Sequence, residues 1–141
     1  MRIGRAELLL QLFKQVAVPV AVRDELLRWH SELPAFLAVR QVQFADAATA
    51  LRAELDIGES EAIVLAGELA ADFLLMDEKK GRRIAMQRGI KVMGLLGVLL
   101  LAKRRGLLPR IGEILDELER VAGFRVSPPV RCETLRLAGE E

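Results

Sequence analysis

Three carboxylates, Glu25, Glu61 and Asp77, occupy places from which the chain can bring them to a single rim. Glu61 falls in the first turn of a helix expected over 59–69, and Asp77 directly follows a strand expected over 73–76. A helix rises ~1.5 Å per residue, so the chain travels roughly 15 Å away from Glu61 before it turns back. The strand climbs at ~3.3 Å per residue and covers about the same distance in return. Both side chains therefore belong at the carboxyl ends of the strands, the edge where open α/β sheets bind ligands. Glu25, early in the helix after a strand over 16–18, belongs to the same edge. Three carboxylates together repel one another unless a cation lies between them. Hard oxygen donors without a Cys/His cluster point to Mg²⁺ or Mn²⁺. Such an ion activates water and stabilises charge on a phosphate under in-line attack.

The same residues also suit structural duties. Glu59 and Glu61 in a first turn favour the helix dipole, Asp77 before a helix is a good N-cap, and Glu25 fits an exposed surface. The cations around Asp77 (Lys79, Lys80, Arg82, Arg83 and Arg88) could hold a nucleic-acid backbone or simply form a solvated helix face. Arg82, about one turn into the helix after Asp77, is best placed to reach the acids. Lys103, Arg104 and Arg105 end a helix, where cations suit the dipole.

The elements that must position these groups follow from apolar spacing. Helical periodicity marks 5–13, and a β-branched run at 16–18 closes on Pro19, which can open a helix through Leu27 and Trp29. A strand is expected at 37–42 and a helix at 46–55. The helix over 59–69 should bury Ala62, Ile63, Leu65, Ala66 and Leu69. Beyond the strand at 73–76 come a helix over 78–88 stopped by Gly89, a strand at 91–93 and a helix over 95–105 stopped by Gly106. A helix over 111–122 should bury Ile114, Leu115, Leu118 and Val121, with Gly123 as its stop, and a last helix spans 130–137. Short strands alternating with helices imply βα units, a parallel sheet and helices on both faces.

Composition narrows the function classes. The 141 residues fit one domain, and with 52% hydrophobic but only 4% aromatic residues the core must be aliphatic. Twenty-one basic against 20 acidic residues give a formal charge of +1, so nucleic acid would have to be met by a local patch. A single cysteine, Cys132, excludes an internal disulfide and fits a cytoplasmic setting. The apolar run at 92–102 is too short for a membrane span of roughly 20 residues, and no secretory signal is visible. Lone His30 makes a weak catalyst without a Ser or Cys partner, one tryptophan is no stacking platform, and Gly94 and Gly97 lack the Lys and Ser/Thr of a phosphate loop.

Several segments in this order carry a resemblance. They are Val18-Pro19-Val20-Ala21-Val22-Arg23-Asp24-Glu25-Leu26, Leu55-Asp56-Ile57-Gly58-Glu59-Ser60-Glu61-Ala62-Ile63, Leu74-Leu75-Met76-Asp77-Glu78-Lys79-Lys80-Gly81-Arg82-Arg83, and Met93-Gly94-Leu95-Leu96-Gly97-Val98. Gly106-Leu107-Leu108-Pro109 and Ala122-Gly123-Phe124-Arg125-Val126-Ser127 continue them. From Val16 onward the chain resembles a bacterial and archaeal family of short PIN-like proteins, related to the toxin ribonucleases of toxin–antitoxin pairs. The resemblance implies a three-layer α/β fold with a central parallel sheet and one domain over 1–141. It implies an acidic pocket for Mg²⁺ or Mn²⁺, here Glu25, Glu61 and Asp77 with Glu59 beside them, and Lys79, Lys80, Arg82 and Arg83 against RNA. A small antitoxin and a homodimer would be the protein partners.

Family members usually begin with a strand ending in an Asp, the first acid of the pocket. Here Met1-Arg2-Ile3-Gly4-Arg5 aligns just after that segment, so the first strand and its acid are expected to be missing. Either the start is misplaced, or the gap is filled by a rearranged sheet, a strand-exchanged dimer or a partner strand. The leading expectation is a metal-dependent endoribonuclease impaired by that loss. The alternatives are a non-catalytic module of the same fold that binds nucleic acid or protein, and an α/β interaction protein with no nucleic-acid role.

Overall fold

The computed structural model describes residues 12–13, 15–28, 31–122 and 126–140. The start of the chain, where the first strand is expected to be missing, lies outside the described residues. So do most of the helix over 5–13, Trp29, His30, the stop at Gly123 and the side chain of Val121. The chain divides into two compact units, Gln15–Gly94 and Leu95–Glu141 with Met1–Lys14.

In the Gln15–Gly94 unit the order is β1 (Val16–Pro19), α1 (Val20–Leu27), β2 (Leu37–Arg40), α2 (Ala45–Leu51), α3 (Ile57–Glu68), β3 (Leu74–Leu75), α4 (Lys79–Gln87) and β4 (Val92–Met93). The class is α/β with parallel strands, and among the described residues those strands pair two by two. β1 runs beside β2 with Val16 opposite Leu37 and Pro19 opposite Arg40. β3 runs beside β4 with Leu74 opposite Val92. Helix α3 packs against β1, β3, α1, α2 and α4, which makes it the central element of this unit. It starts at a capping box: Glu59 N–H donates to Asp56 Oδ1 at 2.8 Å, and Asp56 N–H donates to Glu59 Oε1 at 3.4 Å. The core joins Leu55, Ile63, Ala66, Leu74, Ile84 and Ala85. Leu69, expected inside, is 45% exposed because it is the C-cap of α3, beyond its last packed turn; Val64 is buried instead.

Gly81 is needed for the packing of α4. A Cβ there would collide with Met76 Sδ, so the helix lies close against the end of β3. Helix α4 closes with a left-handed residue, Gly89, whose neighbour Ile90 N–H reaches Ala85 O. Helix α3 closes the same way but with Ala70 at φ 50°, Ala71 N–H reaching Ala66 O at 3.0 Å.

The second unit holds α5 (Leu95–Arg104), α6 (Gly112–Ala122) and α7 (Pro128–Leu137), and α5 packs against α7. Val98, Leu99, Ala102, Leu108, Ile111, Ile114, Leu115 and Leu118 are buried, as the periodicity of α5 and α6 requires. Helix α6 opens at Ile111, which has no side-chain acceptor, and Glu140 supplies one from 29 residues away. Its carboxylate accepts from Ile111 N–H at 2.7 Å and from Gly112 N–H at 3.0 Å, while Lys103 Nζ donates at 2.8 Å. This side chain is only 4% exposed. Burial alone would push the carboxyl up, but the Lys103 hydrogen bond and the two backbone N–H groups outweigh it and hold the pKa at about 2.

Two outcomes follow for stability. Ala70→Gly should raise the unfolding free energy by about 0.5–1 kcal/mol, because alanine in the left-handed region is strained; urea unfolding checks this. Glu140→Gln should lower it by about 1–3 kcal/mol near neutral pH. Because the folded pKa lies below the unfolded value, the Glu140 contribution is complete above about 4.5 and fades as pH falls toward about 2. Unfolding curves of the two proteins should therefore converge in acid.

Candidate nucleic-acid interface and acidic rim

Every candidate side chain lies in the Gln15–Gly94 unit. Asp77 follows β3 by two residues and Gly94 follows β4 directly. With no side chain at Gly94, Asp77 has room there. Asp77 Oδ1 lies 2.8 Å, and Arg82 Nη1 3.6 Å, from the position a Cβ on Gly94 would take. Asp77 and Arg82 thus meet above the same glycine. Asp77 does not cap α4. That role belongs to Glu78, whose carboxylate accepts from Lys80 N–H at 3.1 Å and Gly81 N–H at 2.6 Å. Those backbone donors, Gly81 first, hold the Glu78 carboxyl below its usual range.

Glu25 is exposed on α1, with Oε2 reaching to 3.2 Å from the place a Cβ on Gly58 would take and Asp56 Oδ1 3.7 Å from it. Glu59, in the capping box at that helix start, also feels the negative charge of Glu78. Burial first, then the Asp56 charge, raises its pKa, so of that pair Glu59 takes up a proton first. Glu61 is engaged elsewhere: its Oε1 accepts from Ala21 N–H, in the first turn of α1, at 3.0 Å. Asp56 and Glu59 are joined in the capping box at the start of α3, with Glu25 reaching toward Gly58 in its first turn. Asp77 sits with Arg82, and Glu61 with α1.

Their chemistry suits a hard cation, but their arrangement is not a closed cage. Among the described residues no three His, Cys, Asp or Glu side chains come together as a metal-binding group. Asp56 and Glu78 stand among these acids although neither belongs to the expected set. The Asp-x-x-Glu spacing of Asp56 and Glu59 signals a capping box, and Glu78 stands three residues before Gly81, as an N-cap does before its N3 amide.

Two hollows adjoin these residues. One, of about 440 Å³, is lined by Lys79, Arg82, Arg83, Met86 and Gln87 on α4. It gathers three of the expected cations, while Lys80 is exposed on the same helix. The other, of about 200 Å³, lies at the carboxyl ends of β1 and β2. Its walls are Val20, Gln41, Val42, Ala45, Ala48, Thr49, Arg52, Ile57 and Glu61. No described helix is long and apolar enough to cross a membrane.

No curated protein and no solved structure matches the chain. Residues 1–140 match a family described as DUF3368: PIN domain. The α/β order and the parallel strand pairs agree with that match, and the chain belongs to the PIN-domain family.

Proposed function

We propose that this chain is a PIN-type module that binds RNA through α4. The observation that carries the reading is the hollow lined by Lys79, Arg82 and Arg83, with Arg82 sharing the space above Gly94 with Asp77. Guanidinium groups in a shallow depression suit phosphate oxygens, which they bind in a fork. A chain with a net charge of +1 has no long-range pull on RNA, so this local patch must supply the contact. In that arrangement Arg82 is held by the β3–α4 turn and Lys79, Lys80 and Arg83 extend the cationic surface along the helix.

A second reading, endoribonuclease activity of the toxin type with Mg²⁺ or Mn²⁺ at Glu25, Glu61, Asp77 and Glu59, is favoured by the crowding of acids at the start of α3 and the raised Glu59 pKa. Among the described residues no three acidic, His or Cys side chains come together as a metal-binding group, and no hydrolytic step is assigned to them. This reading brings with it a small antitoxin protein and a homodimer as partners.

The double substitution Arg82→Ala, Arg83→Ala should weaken binding of single-stranded RNA about tenfold at low salt and reduce the salt slope by about 1–2. Fluorescence anisotropy over a salt series measures both, and unchanged affinity removes α4 as the interface. The nuclease reading expects RNA cleavage that appears on adding Mn²⁺ and falls about 10–100-fold in Asp77→Ala. Gly94→Ala, whose new Cβ would press on Asp77 Oδ1, should act in the same direction. Absence of Mn²⁺-dependent cleavage leaves the binding module alone.

A further inference from the structure

The hollow of about 200 Å³ at the ends of β1 and β2 is smaller than the roughly 300–1,000 Å³ of drug-sized sites. It suits one flat ring system. Its apolar walls are Val20, Val42, Ala48 and Ile57, with Ala48 buried and Ile57 partly open to solvent. Its polar groups differ in what they offer. Thr49 Oγ1 already donates to Ala45 O at 3.0 Å and so faces a ligand as an acceptor. Glu61 has Oε1 on Ala21 N–H, which leaves Oε2 and the second lone pair of Oε1 to accept. The guanidinium of Arg52 has no ion pair or side-chain hydrogen bond among the described residues. It is exposed at the end of α2 and remains a pure donor. Gln41, directly after β2, can donate and accept.

We propose that this hollow is a base-reading subsite that takes a guanine from single-stranded RNA, with Arg52 as the specificity-determining residue. This rests on RNA being the ligand of the domain. Sequence-specific RNA recognition targets splayed-out bases, which are read on their edges and covered by apolar or planar groups. Guanine matches the donors and acceptors present. Its O6 and N7 form an acceptor pair that a guanidinium meets bidentately. Its N1–H and N2 amine form a donor pair that a carboxylate meets. Adenine presents a donor beside N7 where Arg52 needs an acceptor, uracil has no adjacent pair of acceptors, and cytosine, whose O2 and N3 form such a pair, has only its N4 amine to set against Glu61. Arg52 and Glu61 line the same hollow with opposite roles, and guanine alone among the four bases offers each of them two partners. The position, outside the carboxyl ends of parallel strands, is where α/β sheets place ligands.

The test uses the full chain and short uridine oligonucleotides that contain one internal guanosine, one inosine, one adenosine or none, compared by anisotropy at one fixed salt concentration. The wild type should prefer the guanosine oligonucleotide over the all-uridine one by about tenfold, with inosine between them because it lacks the N2 amine. Arg52→Ala should abolish that preference, while all-uridine binding changes by no more than about twofold. The Arg82→Ala, Arg83→Ala protein should lose affinity for all four oligonucleotides alike and keep the preference. If the wild type binds RNA through Arg82 and Arg83 but shows no preference for guanosine, the subsite is refuted and the RNA reading stands. Equal weakening of all four by Arg52→Ala makes Arg52 a phosphate contact and also refutes it. No RNA binding by the wild type removes both.

Discussion

Helices α1, α2 and α6 begin at Pro19, Phe44 and Ile111, none of which has a side chain able to accept a hydrogen bond from the first turn. At each start a glutamate from a distant part of the chain supplies the negative oxygen. Glu61 meets Ala21 N–H, Glu68 meets Gln43 and Phe44 N–H at 2.8–3.0 Å, and Glu140 meets Ile111 and Gly112 N–H. A hydrogen bond to a charged group contributes about 1.5–3 kcal/mol, and the helix dipole adds to it. These contacts join elements separated by 24–40 residues. They fix where each helix begins by tertiary folding rather than by the local sequence.

That use of carboxylates shapes the candidate site. Glu61 and Glu59, two of the acids expected around a cation, serve a neighbouring helix and a capping box respectively. Asp77 shares the space above Gly94 with Arg82. The rim of the α/β unit is thus a mixed surface in which acids are tied to backbone donors and cations lie along α4. The proposed RNA contact rests on the cationic side of this mixed surface, along α4.

Much of the architecture was legible from spacing. The helix expected over 59–69 spans Ile57–Glu68, the strand at 73–76 contains Leu74–Leu75, and the helix over 111–122 is Gly112–Ala122. Amphipathic period and glycine stops are local signals, and both Gly89 and Gly106 do end their helices in the left-handed region. Ala70 ends α3 in the same conformation without any such signal. The strand between Glu61 and Asp77 is shorter than expected, two residues rather than four. What spacing could not convey was which atom each carboxylate would meet, because Glu61 with Ala21 and Asp77 with Gly94 are encounters between separate elements. The grouping of four strands into two pairs is equally a matter of long-range contact.

Helix α3 carries Glu61 one turn from its start and Glu68 at its last residue, so its two ends reach α1 and α2 respectively. An opening fluctuation of α3 must release the beginnings of both other helices at once. The amides of α1 and α2 should then exchange with solvent as a single cooperative group, although β2 separates these two helices along the chain.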